Sequence, residues 1–168
     1  MSENKKFSVG DTVVYPSHGV GTIQDIEKQK IGGMDLEFFV IFFEKEKMSL
    51  RVPVSKAKKT GLRHIINQDQ LVKVFEALKS KPKSCKGMWS RRATEYEAKI
   101  NSGELHLIAE VVRDLHKNVN DPDRSYSERV IYESALNRLI SEISILENIE
   151  VSVAQEKVEN IIQEIQLV

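Results

Sequence analysis

Two unlike domains in tandem are predicted: a small antiparallel Tudor- or SH3-like β-barrel over residues 1–64, then a compact all-α domain of five helices over 65–168. Three observations carry this α+β assignment. Up to about residue 65 apolar residues alternate or run in short β-branched and aromatic stretches; beyond it they recur at helical spacing. Gly10, Gly19, Gly21, Gly32 and Gly33 fall among the first 33 residues, where short strands need turns. With 168 residues, 40% hydrophobic and 30% charged, the chain can build two small cores and lacks the composition of a disordered polymer. No internal repeat is visible.

The strand signals come in order. Residues 9–15 (VGDTVVY) alternate and end at Pro16; residues 20–27 read as a second strand. Gly32-Gly33 supplies the positive φ of a hairpin turn. Residues 37–43 (EFFVIFF) form a buried apolar strand, and residues 48–52 a further one stopped by Pro53. Several short strands at this spacing predict a small barrel whose edges remain available to partners.

The helices follow. Asn67 caps the first, with Leu71, Val74, Phe75 and Leu78 on one face. Residues 80–88, with Pro82 and Gly87, read as a basic loop. Ser90 is expected to cap a short second helix running to about Ile100, broken by Asn101-Ser102-Gly103. Leu105, Ile108, Ala109, Val112 and Leu115 mark the third. Ser125 with Glu128 makes a capping-box pair before a long fourth helix carrying Ile131, Ala135, Leu139, Ile143 and Leu146. Ser152 with Gln155 repeats that signal before Val158, Ile161, Ile162 and Ile165.

Charge is sorted along the chain. The 25 Lys and Arg match 25 Asp and Glu, yet residues 1–65 sum to +3, residues 66–103 to +4 and residues 104–168 to −7. The densest basic stretch comprises Lys79, Lys81, Lys83, Lys86, Arg91, Arg92 and Lys99, against Glu95 and Glu97. Screening confines such a field to about 8 Å at physiological salt, so an acidic segment far along the chain does not cancel it. One cysteine, Cys85, excludes an intramolecular disulfide and a Cys-based zinc finger. No apolar run approaches the roughly 18 residues of a membrane span, and the polar start has no apolar leader core. A reduced, cytoplasmic setting is expected.

Catalytic patterns are weak. His18, His64, His106 and His116 are scattered, and His106 and His116, ten residues apart, point about 80° away from alignment on a helix. No metal site or cofactor is expected. Cys85 lies in basic surroundings that would lower a thiol pKa, but no nucleophile motif surrounds it. The strand-region glycines precede no helix and make no phosphate loop. The protein is not expected to be an enzyme.

The only tryptophan sits in Lys86-Gly87-Met88-Trp89-Ser90-Arg91-Arg92. Trp89 just before a helix can staple onto that helix's own first turns. It can equally serve, flanked by cations at a helix start that attracts phosphate, as an apolar wedge between base steps in a minor groove.

The run Phe7-Ser8-Val9-Gly10-Asp11-Thr12-Val13-Val14-Tyr15-Pro16-Ser17-His18-Gly19-Val20-Gly21 resembles the opening of CarD/CdnL-type bacterial transcription regulators. The resemblance continues at Arg51-Val52-Pro53, Trp89-Ser90-Arg91-Arg92, Ser102-Gly103 and Ala109-Glu110-Val111-Val112-Arg113-Asp114-Leu115. It covers nearly the whole chain after the first six residues. The opening alone is shared with the polymerase-binding domain of the transcription-repair coupling factor; the helical half separates the two.

The resemblance implies a Tudor-like domain over residues 1–64 that docks on the RNA polymerase β subunit, and a helical domain over 65–168 that meets promoter DNA. Such proteins wedge a tryptophan into the minor groove near the −10 element, at the upstream bubble edge, so that open complexes persist. Carried over, Trp89 is the wedge, and Arg91, Arg92, Lys86 and Arg129 complete the candidate DNA-binding set. Arg51, with Lys28 and Lys30, is the candidate polymerase-binding set. Thr94 and Gln29 stand where many members carry basic residues. A monomer is expected. Two other readings remain: a protein-only adaptor with Trp89 packed inside, and a thiol-dependent enzyme using Cys85.

Overall fold

The computed structural model describes residues 7–83 and 87–166. Its backbone divides into two units, Met1–Ile65 and Ile66–Val168. In the first, β1 (Thr12–Tyr15), β2 (Gly19–Ile31), β3 (Met34–Phe43), β4 (Met48–Pro53) and β5 (Arg63–His64) form one antiparallel sheet in the order β4-β3-β2-β1-β5. The expected antiparallel Tudor-like strands are present, but the barrel does not close: β4 and β5 are its two edges. The physical reason lies between them. After Pro53 the chain makes a 3-10 turn (Val54–Lys56) and further turns, and β5 is only two residues long, too short to bridge the gap. Ala57 and Leu62 lie in this connection, the Leu62 amide donating to the Ala57 carbonyl at 3.2 Å, and both are buried in the core of the unit.

Strand lengths differ from expectation for local reasons. β1 begins at Thr12 because Ser8–Asp11 form a turn: the Ser8 amide donates to Asp11 Oδ2 at 2.9 Å and the Asp11 amide to the Ser8 carbonyl at 3.1 Å. That amide contact, aided by the neighbouring His64, holds the Asp11 carboxyl below its ordinary pKa. β5 was not legible in the sequence; His64 stacks on Phe7 at 4.6 Å and lies 3.3 Å from Asp11 Oδ2. β2 runs on to Ile31 because Gly32 and Gly33, at φ +59° and +80°, make a tight turn that keeps Ile31 opposite Met34. Gly21 has a packing reason: a Cβ there would meet Ile41 Cγ2 and Phe43 Cε1 at 2.8 Å. The core gathers Val13, Ile23, Phe39, Ile41, Phe43 and Val52.

The second unit contains α1 (Gln68–Lys79), α2 (Trp89–Asn101), α3 (Leu105–His116), α4 (Tyr126–Glu147) and α5 (Val151–Gln166). α3 is the centre, with Ile108, Ala109, Val111, Val112 and Leu115 all buried. Burying each large aliphatic side chain of this kind stabilises the fold by about 1.5–3 kcal/mol. Asn67 caps α1 in a full capping box with Gln70. At α4 only half of the expected box forms: Ser125 Oγ accepts from the Glu128 amide at 3.1 Å, while the Glu128 carboxylate turns to Asn118.

Two expected caps are corrected. Ser90 lies inside α2, because the Arg91 and Arg92 amides both donate to the Met88 carbonyl and start the helix at Trp89. Ser152 lies inside α5, because the Ala154 amide donates to the Glu150 carbonyl and Val151 is already helical. Besides Glu128, three charged groups are buried in this unit: Glu142, Arg113 and Asp114. Glu142 Oε2 accepts the Ile66 amide at 2.7 Å, fixing the chain's entry to α1. Arg113 Nε donates to Asp114 Oδ1 at 2.8 Å, and Arg113 Nη1 donates to the Ala77 carbonyl at the end of α1.

Candidate nucleic-acid interface and basic sheet edge

The start of α2 is built from both its ends. Asp114 Oδ1 accepts the Lys83 amide at 2.9 Å, so the buried Arg113–Asp114 pair holds the chain at Lys83, beyond the end of α1. Removing one partner of such a pair strands the other charge in the interior, which costs several kcal/mol. At the far end Arg138 Nη1 donates to the Ile100 carbonyl, and Lys99 Nζ reaches Glu110 Oε1 at 3.4 Å. Among the described residues no side chain caps the first turn of α2, and it contains no acidic residue to offset the helix dipole there.

The side chains on this turn divide. Met88 is 78% exposed, the apolar side chain at this end most open to solvent. Trp89 is half-buried and rests against the helical core. Arg91 points outward, 84% exposed, with a long 3.9 Å approach to Glu95. Arg92 folds back: its guanidinium carbon lies 5.5 Å from the Trp89 ring centroid and 5.9 Å from that of Tyr96, and Nη2 donates to the Tyr96 hydroxyl at 3.4 Å. The Trp89 and Tyr96 rings are 6.2 Å apart at 45°. Thr94, the departure from a position where the resembled family often carries a basic residue, donates its hydroxyl to the Ser90 carbonyl.

Of the other candidates, Arg129 lies on the first turns of α4, paired with Glu133 at 3.1 Å. Lys86 and Cys85 lie outside the described residues. Reading the sequence missed Met88, Tyr96 and the Arg113–Asp114 anchor. Tyr96 was findable, standing seven residues after Trp89 and four after Arg92, on one helix face. The anchor had no local signal, since its partners are brought together only by packing.

On the sheet, Arg51 lies on the edge strand β4. Its Nε and Nη2 donate to Glu27 Oε2 and Oε1 at 2.8 and 3.3 Å, a two-point pair reaching across β3. The pair pushes the Glu27 pKa down and the Arg51 pKa up. Lys28 approaches Glu37 at 3.8 Å, opposite it in register, and Lys30 is exposed opposite Asp35. These three cations mark one sheet unit, with Gln29 donating to Glu27 between them.

Among the described residues no group of three or more His, Cys, Asp or Glu is placed to hold a metal ion, and no helix is long and apolar enough to cross a membrane. In the interior, burial pushes the His116 pKa down and the Tyr132 pKa up, the two being joined by a 2.9 Å hydrogen bond.

Family models match both units: the CarD C-terminal domain over residues 73–159 and the CarD-like/TRCF RID domain over residues 7–66. The chain is 29% identical over 143 residues to YdeB of Bacillus subtilis (strain 168), described as a candidate transcription factor, covering 85% of this chain and 94% of that protein. The solution structure of the 72-residue N-terminal domain of Myxococcus xanthus CarD is 32% identical, covering 35% of this chain and 79% of that one, at a TM-score of 0.31.

Proposed function

Since the chain belongs to the CarD family of transcription regulators, we propose that it docks on the RNA polymerase β subunit through its sheet unit and stabilises the promoter open complex. Trp89 enters the minor groove near the −10 element, at the upstream edge of the bubble. Arg91 contacts backbone phosphate, Arg92 and Lys86 belong to the same basic set, and Arg129 adds a weaker contact that must first leave Glu133. Arg51, held extended by Glu27, docks on polymerase with Lys28 and Lys30. The protein acts as a monomer in the cytoplasm and without a cofactor, its catalytic histidine and cysteine patterns being weak.

The observation that carries this reading is the first turn of α2: uncapped among the described residues, free of acid, and bearing apolar Met88 and Trp89 beside an outward Arg91. Such a turn attracts phosphate and offers an apolar edge to a base step. Few phosphate contacts give modest, salt-sensitive affinity, each worth a slope of about −0.9 in log K against log salt. Docking on polymerase offsets this by raising the local concentration to the order of millimolar. Unstacking costs a few kcal/mol, less where the duplex is already distorted, so the wedge favours the open state over closed duplex. The half-burial of Trp89 supports the rival reading, an adaptor that binds polymerase and a second protein without touching DNA.

Heparin-challenged open complexes decide between them. The protein is expected to lengthen their lifetime, and Arg51→Glu to lose both this effect and polymerase pull-down while remaining folded. No lengthening with the unaltered chain sinks the open-complex reading; pull-down retained by Arg51→Glu moves the docking surface elsewhere.

A further inference from the structure

We propose that Arg92 and Tyr96 are positioning residues for Trp89: the Arg92 guanidinium, at the third corner of a triangle with the two rings, holds the indole for a DNA base step and does not serve as a phosphate contact. This rests on the reading of Trp89 as the wedge. Residues 89, 92 and 96 stand at i, i+3 and i+7, one face of α2. Tyr96 is buried at 2% exposure and belongs to the helical core, so it is the fixed end of the stack. Its hydroxyl accepts from Arg92 Nη2 at 3.4 Å, and its ring lies 5.9 Å below the guanidinium carbon. The same carbon lies 5.5 Å from the Trp89 centroid. The cation thus links a side chain rooted in the core to one at the surface.

Partial burial strengthens this arrangement. A guanidinium withdrawn from water interacts more strongly with aromatic faces than an exposed one does. Its planar delocalised charge suits two rings at once, which a lysine ammonium does not reproduce. An indole held in one rotamer loses less freedom on insertion between bases, and that saving appears as affinity. The neighbouring Arg91 has the other role, being exposed and available to phosphate. Two adjacent arginines, identical in the sequence, therefore act on different targets.

The full chain carries its own probe, since Trp89 is the only tryptophan. Without DNA, Arg92→Lys is expected to raise the acrylamide quenching constant of Trp89 roughly threefold, as the ring loses its cation–π partner. Tyr96→Phe, which keeps the ring and removes the hydroxyl, raises it less; far-UV circular dichroism stays unchanged in both. On promoter DNA, Arg92→Ala weakens binding with the salt slope retained, whereas Arg91→Ala loses about 0.9 of slope. Unaltered quenching in both Arg92→Lys and Tyr96→Phe overturns the proposal, and so does a slope loss in Arg92→Ala equal to that of Arg91→Ala. A separate outcome tests the underlying reading. If quenching rises as expected but Trp89→Ala leaves DNA binding and open-complex lifetime intact, the positioning stands and the wedge falls.

Discussion

α2 and α4 begin with nearly the same spelling, Trp-Ser-Arg-Arg and Tyr-Ser-Glu-Arg, yet their first turns differ in chemistry. Each opens on an aromatic residue, Trp89 or Tyr126, and each carries an arginine three positions later, Arg92 or Arg129. The next residue on that face, four further on, sets the outcome. In α2 it is Tyr96, whose ring and hydroxyl keep Arg92 over the indole. In α4 it is Glu133, whose carboxylate draws Arg129 away and leaves Tyr126 81% exposed. The caps differ as well. Ser125 and the buried Glu128 satisfy and neutralise the start of α4, while among the described residues the first turn of α2 has neither a capping side chain nor an acid. A closed helix start stabilises the fold; an open one remains available to a ligand.

The largest expected effect separates the two aromatics. Trp89→Ala should remove most of the protein's effect on open-complex lifetime, about tenfold, equivalent to about 1.4 kcal/mol of differential binding. Tyr126→Ala should leave that lifetime unchanged. Equal losses from both would abolish the distinction drawn between the two helix starts. Next come the caps. Ser125→Ala should lower unfolding stability by about 1 kcal/mol in urea titration. Met88→Asp should do the reverse at α2, adding a few tenths to about 1 kcal/mol while weakening DNA binding through its charge. A Met88→Asp variant that binds DNA as well as the unaltered chain would mean that this turn faces no phosphate.

Smaller effects sharpen the comparison between the arginines. Arg91→Ala should cost about 0.9 of salt slope, and Arg129→Ala less, because Arg129 must give up Glu133 before it reaches DNA. The smallest effect concerns what lies beneath α4, where Tyr132 meets His116. Burial depresses the His116 pKa, so the unfolded chain binds this proton more readily than the folded one. The resulting stability is complete above the ordinary histidine value of about 6.5 and declines as pH falls below it toward the lowered folded value. Thermal unfolding should drop by a few degrees between about pH 7.5 and 5.5, with part of that drop absent in His116→Gln. An identical drop in the variant would assign it to other groups.

Local signals carried much of the fold. The switch from strand to helix periodicity, the Gly32-Gly33 turn, the Asn67 cap and the Ser125 cap all depend on residues within a few positions of one another, and each appears in the structure. Features assembled from distant residues were not legible. β5 is defined by pairing with Val13 and Val14 and by His64 stacking on Phe7, none of them near it in sequence. The open barrel depends on the turns between β4 and the two-residue β5, which leave those strands as unpaired edges. The start of α2 was misjudged for a subtler reason: Ser90 carries the propensity of a cap, but the Met88 carbonyl takes the first helical bonds.

The candidate site divides along the same line. Trp89, Arg91 and Arg92 stand out from composition and order alone, because one tryptophan beside adjacent arginines at a helix start is a local pattern. What each does was decided by tertiary structure. Arg92 turns inward because packing roots Tyr96 in the core, whereas Arg91 stands exposed with the exposed Glu95 as its 3.9 Å neighbour. The end of α1 and Lys83 are held by Arg113 and Asp114, about thirty residues away, through bonds to Ala77 and Lys83. The sequence by itself determined which elements form and which residue types gather at the first turn of α2, since backbone propensity and side-chain spacing are short-range. Only the tertiary structure decided which of those side chains is held and which is offered, because burial and pairing depend on neighbours that the chain brings together by folding.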